Sequence, residues 1–196
     1  MKTLTLSIRN MVCDRCIRVV REEFEQLGLD VRRVDLGEAE IAPGSRPIDL
    51  SRVERVLVEN GFELIQDRRK KLIEDIRLAI VRVLHSGEPL PAGFKLSRHV
   101  SRAVGEPYHS LSSLFSSVEG TTIEHFFILQ KVERVKELLK YGDTPLKNIA
   151  WDLGYSSTQH LSNQFKQVTG MTPSEFRRLG KGLRVPLDRV HPGRRA

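Results

Sequence analysis

Two groups of side chains in this 196-residue sequence have the types and spacing to do chemistry. The first is Cys13-Asp14-Arg15-Cys16, which holds the chain's only two cysteines. A C-x-x-C pair binds a metal through two sulfurs or cycles between dithiol and disulfide. A helix starting at this point, with Arg15, Arg18 and Arg21 close by, is expected to lower the thiol pKa and favour the thiolate. The second group is Thr158, Gln159, Ser162, Asn163 and Lys166, which share one face of a helix. Gln and Asn make paired hydrogen bonds to adenine edges, and a lysine suits a phosphate. A sparser set with the same layout lies upstream, at His109, Ser112, Ser113 and Ser116. Serine bonds base edges or phosphates but discriminates weakly between them. No Ser-His-Asp set, paired-carboxylate site or phosphate-cradling glycine loop is apparent, and no enzyme is expected.

The charge is divided along the chain. Residues 1–67 hold 10 Lys/Arg against 13 Asp/Glu, whereas residues 68–196 hold 22 against 12, and the net charge is +7. Positive charge gathered in one region suits a polyanionic partner, because Lys and Arg release condensed counterions from phosphates. No apolar run of about 18 residues marks a membrane span. The N-terminus alternates polar and apolar residues, unlike a signal peptide, so a cytoplasmic protein with reduced thiols is expected.

The elements that must position these groups fall into two domains and a tail. Residues 1–67 read as strand, helix, strand, strand, helix, strand. Leu4, Leu6 and Ile8 alternate at period two; Ile17, Val20, Phe24 and Leu27 line one helix face, closed by Gly28. Val31, Val34 and Leu36 change phase, which predicts a bulge. Ala39 to Ala42 forms a short strand, and residues 43–47 a loop. Ser51-Arg52-Val53-Glu54 reads as a capping box opening a helix with Val53, Val56 and Leu57 inward. Phe62 to Ile65 is the last strand. This order suits an α+β, ferredoxin-like βαββαβ sandwich. A helix with Leu72, Ile76, Ala79, Ile80, Val83 and Leu84 on one stripe follows at once, which predicts a stiff join. Residues 68–179 read as all-α with two helix-turn-helix units, and residues 180–196 as a basic, disordered tail.

In the clearer unit Leu146, Ile149, Ala150 and Leu153 mark one helix, Gly154-Tyr155-Ser156 turns the chain, and a second helix from about Ser157 to Val168 buries Leu161, Phe165 and Val168. Trp151 lies off the apolar stripe. Ile149-Ala150, Leu153-Gly154-Tyr155, Leu161-Ser162, Phe165-Lys166, Gly170-Met171-Thr172-Pro173 and Phe176-Arg177 together resemble the signature of AraC/XylS-type bacterial transcription regulators. The resemblance covers about residues 70–179. It implies seven helices, two helix-turn-helix units and one long joining helix from Thr122 to about Tyr141. That helix packs both halves with Ile123, Phe126, Phe127, Val132, Val135 and Leu139. It also implies double-stranded DNA as partner, with the two reading helices in successive major grooves about 34 Å apart. In the first unit Leu96 to Val104 supports and His109 to Ser117 reads. Its serines stand where relatives often carry Arg, Gln or Lys, so the second unit is expected to hold most base specificity. Arg98, His99 and Arg102 are expected to serve the DNA backbone.

Met11-Val12-Cys13-Asp14-Arg15-Cys16, the βαββαβ order and Gly61-Phe62 before the last strand resemble the heavy-metal-associated domains of copper chaperones and P-type ATPases. The resemblance implies a Cu(I)-binding loop covered by the aromatic at Phe62. Asn10 departs from the glycine usual there. Structural zinc wants four ligands, and the six histidines all lie beyond residue 67. Two thiolates instead suit a soft ion, Cu(I) first and Ag(I) or Hg(II) next. A redox-sensing pair and a purely structural pair remain alternatives. The expectation is a regulator responsive to metal or thiol state, with a second copy of the chain and RNA polymerase as further partners. The rival is a constitutive AraC-type regulator whose N-terminal domain only mediates dimerisation or partner binding. The enzyme rivals are a C-x-x-C oxidoreductase and a cysteine methyl-acceptor repair protein.

Overall fold

The computed structural model describes residues 3–42, 47–141 and 144–179. Residues 43–46 of the expected loop and the expected tail, 180–196, lie outside them. The chain divides into two compact units, residues 1–78 and 79–196.

The first unit is built from β1 (Leu4–Arg9), α1 (Asp14–Gln26), β2 (Val31–Asp35), β3 (Glu38–Ile41), α2 (Leu50–Glu59) and β4 (Glu63–Ile65). The strands form one antiparallel sheet in the order β2-β3-β1-β4. The β2–β3 register shifts between Val31 and Arg33, where the change of hydrophobic phase predicts a bulge. Alternate residues Leu6, Ile8, Ala39 and Ile41 face α1 and α2, and meet Val20, Phe24, Val53 and Leu57 in one apolar core. Met11 is fully buried in that core.

Two local expectations need correction. The α2 helix begins at Leu50, and its cap is Asp49, whose carboxylate accepts from Ser51 N (3.0 Å) and Arg52 N (3.3 Å). A carboxylate at that position satisfies the first free amides as well as a serine would, so Ser51 sits inside the helix. The division between units also falls eleven residues later than the sequence suggests. The next helix, α3 (Arg68–His85), starts at the expected place, but its first half is packed with the sheet. Gly37 shows this contact: a side chain there would begin 2.2 Å from Leu78 Cδ1. The glycine also has φ of 88°, so any replacement is strained twice. The stripe on α3 is correspondingly broader than its spacing predicts. Leu78, Ala79, Ile80 and Val81 are buried in succession, while Val83 and Leu72 are half-buried.

The second unit holds the rest of α3 and six further helices among the described residues. They are α4 (Leu96–Val104), α5 (Tyr108–Glu119), α6 (Ile123–Tyr141), α7 (Leu146–Asp152), α8 (Thr158–Thr169) and α9 (Pro173–Leu179). The long α6 touches α5 on one side and α8 and α9 on the other. Its buried Ile123, Phe126, Val132, Val135 and Leu139 form a shared spine, and Phe127 is half-buried against Phe94. Four polar residues of α6 are also buried: Gln130, Lys131, Glu133 and Lys136. Lys136 donates to Glu133 at 2.7 Å, which pairs two charges that would otherwise be costly inside. The Thr172-Pro173 start of α9 is a reciprocal cap: Thr172 N donates to Glu175 Oε2 (2.6 Å) and Glu175 N to Thr172 Oγ1 (3.3 Å).

Candidate nucleic-acid interface and cysteine loop

The second helix pair is held from beneath. Leu161 and Phe165 on α8 are fully buried, and Phe165 meets Phe176 of α9 edge-on at 5.6 Å. The turn from α7 to α8 passes through Gly154, whose φ of 65° few other residues adopt and whose missing side chain would lie 3.4 Å from Leu90. Tyr155 N then donates to Ala150 O (2.8 Å), and the Tyr155 hydroxyl donates to Gln164 (2.9 Å). Lys131 of α6 places its amine 3.5 Å from the Tyr155 ring centroid, a cation–π contact sealed from water. Burial pushes that amine down to about 8, and burial pushes the Tyr155 phenol up. Ser157 caps α8 by accepting from His160 N at 3.0 Å.

With its apolar side fixed, α8 turns its polar side outward. Thr158, Gln159, Asn163 and Lys166 are exposed, and Ser162 is half-exposed. Gln159 Nε2 donates to Asn163 Oδ1 at 2.8 Å, so the two amides stand together at one point of the helix. Between them they retain donors and acceptors for paired hydrogen bonds to a base edge.

The first pair has the same frame and a different face. Leu111 and Phe115 are buried, and Phe115 packs against Phe126. Gly105 and Gly120 end α4 and α5 in the left-handed conformation. Outward on α5 stand His109 and Ser113, with Ser112 and Ser116 half-exposed. No lysine or arginine occurs on this helix. The cations of this pair sit on α4 and just before it: Lys95, Arg98 and Arg102 line a concavity of about 290 Å³ with Phe94 and His99. These three have no acidic partner among the described residues. His99 is committed elsewhere. Its Nε2 lies 3.0 Å from Ala79 O and its ring leans on Phe94, so it helps to position α4.

Residues 100–179 match the family described as "Helix-turn-helix domain". This segment is a helix-turn-helix domain. An uncharacterized HTH-type transcriptional regulator of Staphylococcus aureus is 32% identical over 78 residues of the chain, which are 40% of this chain and 10% of that protein. The xylose operon regulatory protein of Haemophilus influenzae is 35% identical over 68 residues, 35% of this chain and 18% of that protein. The chain thus spans less than a fifth of either relative. Both are named as regulators, neither as an enzyme. Among solved structures, the C-terminal domain of AraT, a response regulator from Geobacillus stearothermophilus, aligns with 58% of this chain and 88% of its own. The identity there is 22% and the TM-score 0.48. No helix among the described residues is long and apolar enough to cross a membrane.

The cysteine loop belongs to the first unit. Cys13 is the N-cap of α1, with its carbonyl accepting from Cys16 N at 2.9 Å. The two sulfurs are 3.4 Å apart; Cys13 is exposed and Cys16 half-buried at the edge of the core. The expected lowering of the thiol pKa is not found at Cys16. Burial pushes this thiol up, and the neighbouring Cys13 sulfur adds to the rise. Arg18 and Arg21 are turned along the helix toward Glu22 and Glu25, which weakens their help to a thiolate. Two soft sulfurs 3.4 Å apart are a donor pair of the kind that soft ions take. Phe62, expected to cover the loop, is a buried member of the same core.

How the loop is tethered was not legible in the sequence. Asn10, where the resemblance expects glycine, has φ of 72° and is the one non-glycine with positive φ among the described residues. Asparagine is among the few residues that accept this conformation. Its Nδ2 donates to Gly61 O (3.1 Å), and its backbone N donates to Oε1 of Glu74 on α3 (3.0 Å). Burial raises the Glu74 pKa, and the Asn10 amide with Arg77 and Arg9 offsets only part of that rise.

Proposed function

We propose that this chain is a sequence-specific, DNA-binding transcription regulator of the AraC/XylS type, acting in the cytoplasm on double-stranded DNA. The observation that carries the reading is the outward amide pair Gln159–Asn163 on a helix whose opposite side is buried and whose entry turn is fixed by Tyr155. In this reading α8 enters the major groove and Gln159, Asn163, Thr158 and Ser162 meet base edges, while Lys166 meets a phosphate. His109, Ser112, Ser113 and Ser116 of α5 enter the neighbouring groove with little base discrimination. Arg98 and Arg102 hold the backbone beside it.

The N-terminal unit is, in the same proposal, a ferredoxin-like, heavy-metal-associated sensor. Cys13 and Cys16 would hold Cu(I), or Ag(I) or Hg(II), as thiolates, and the ion would supply a crosslink between the two sulfurs that changes the DNA affinity of the chain. A second copy of the chain and RNA polymerase are the further partners. Selection from a random DNA library, without and with Cu(I) under anaerobic conditions, tests both parts. A shared sequence motif that Gln159→Ala or Asn163→Ala erases is expected. Recovery of unrelated sequences would contradict the DNA-reading part.

A second reading is favoured by the seat of Cys16 against the apolar core, where a free cysteine packs as a small hydrophobe. A purely structural pair suits a constitutive regulator whose N-terminal unit serves only dimerisation or partner binding. DNA affinity and oligomeric state indifferent to Cu(I), and to Cys13→Ser with Cys16→Ser, would select it.

A further inference from the structure

We propose that Glu74 is a positioning residue that senses the conformation of the cysteine loop and passes it to α3, so that metal uptake by Cys13 and Cys16 alters DNA binding through this one carboxylate. The proposal rests on the sensing reading above and names the residue that transmits it.

Glu74 has a side-chain exposure of 5%, so water cannot satisfy its carboxylate. Its Oε1 accepts from Asn10 N at 3.0 Å, and its Oε2 stands 3.9 Å from Arg9 Nε. The carboxylate thus has two neighbouring partners on the same segment, one a backbone amide and one a side chain. A buried carboxylate bonded to the loop backbone ties that segment to α3, the kind of contiguous contact through which coupling is carried. Asn10 itself is a strained point, held left-handed by Glu74 and by the carbonyl of Gly61. Strained conformations persist only where neighbours hold them, and they relax when a neighbour moves.

Metal uptake supplies that movement. The sulfurs stand 3.4 Å apart. An ion held between both sulfurs would have to part them. Cys16 is seated against the core, whereas Cys13 is exposed, so Cys13 does most of the moving. Only Val12 and Met11 separate it from Asn10, and Met11 is locked in the core. With Met11 as a fixed pivot, the backbone on its other side would adjust at Asn10, and the Asn10 amide would turn relative to Glu74. On α3, Lys70 one turn earlier is tied to Glu63 of β4 at 3.1 Å. The helix is thus fastened to the first unit by Lys70 and by the packing of Leu78 at Gly37 as well, and the Glu74 contact is the one made to the backbone that leads into the loop. The α3 helix itself extends to His85.

The test uses the full chain, Cu(I) held by a competing chelator, and a DNA fragment selected from a random library by the wild-type protein. Cu(I) is expected to change wild-type affinity for the fragment by about fivefold or more. Glu74→Ala should bind Cu(I) with unchanged affinity and yet lose that change in DNA affinity. Glu74→Gln, which keeps an acceptor for the Asn10 amide, should restore most of it. Hydrogen exchange at the Asn10 amide of the wild-type protein should quicken when Cu(I) is added, a readout that needs no variant to fold. A wild-type protein that responds while Glu74→Ala responds equally would overturn the inference and leave the sensing reading intact. So would an unchanged Asn10 exchange rate, or a Glu74→Ala protein whose only defect is weaker Cu(I) binding. A wild-type protein indifferent to Cu(I) would overturn the sensing reading and the inference with it.

Discussion

The two helix pairs of the helix-turn-helix domain share a skeleton and differ in the side turned outward. Each reading helix buries a leucine and a phenylalanine, Leu111 and Phe115 on α5, Leu161 and Phe165 on α8, and each ends on a left-handed glycine. Outward, α5 carries serines and a histidine, while α8 carries two amides in mutual contact and a lysine. The cations of the first pair sit on its supporting helix instead, at Arg98 and Arg102. The skeleton is what packing requires and therefore repeats. The outward face is free of packing, so the two pairs can carry different side chains, as the proposed division between gripping the DNA backbone and reading bases requires.

The largest effects should show the skeletons to be equal. Phe115→Ala and Phe165→Ala each remove a fully buried ring, and each should cost about 3–5 kcal/mol in urea unfolding. A cost at one site several times that at the other would mean that the frames are not equivalent.

Next in size is a property of the second pair alone. The Lys131 amine over Tyr155 holds its proton only to about pH 8 in the folded protein, against 10.5 for the ordinary side chain. Between those values the unfolded chain binds more protons, so stability should rise with pH from about 8 to about 10.5. The gain is at most about 3 kcal/mol, and the attraction of the ring for the charged amine reduces it. Unfolding free energies measured across this window should lose the rise in Lys131→Met. The same slope in wild type and variant would place the titration elsewhere.

The outward faces should then separate the pairs. Gln159→Ala or Asn163→Ala should each weaken binding to a selected site by about 1–3 kcal/mol relative to random DNA. Replacing Ser112, Ser113 and Ser116 together by alanine should cost less than either, as read by fluorescence anisotropy. Arg98→Ala should weaken selected and random DNA alike, and should lower the salt dependence by about one phosphate's worth. The smallest effect belongs to Trp151, which is 75% exposed on α7. Trp151→Ala should shift stability by less than about 0.5 kcal/mol.

Much of this arrangement was legible because glycine and apolar spacing leave little choice. The span of α4 follows residue for residue from Leu96 to Val104, and the turn at Gly154-Tyr155 and the outward set on α8 follow from period and punctuation. What escaped is polarity that ends up inside. Gln130, Lys131, Glu133 and Lys136 were not singled out in the sequence, because only the elements packed around α6 bury them. Glu74 escaped for the same reason, since its partner Asn10 lies 64 residues earlier. The α2 cap was misplaced because Ser51 and Glu54 fit a capping pattern while Asp49, two residues earlier, does the capping. Cys16 was expected to ionise readily from its helix position, but its seat at the core edge reverses the direction.

The division of labour is tested most directly by substituting every base pair of a selected site in turn and measuring the affinity of the full chain at fixed salt. Large losses should cluster in the half-site covered by α8 and disappear from that cluster in Asn163→Ala. Losses of equal or greater size in the half-site covered by α5 would contradict the account.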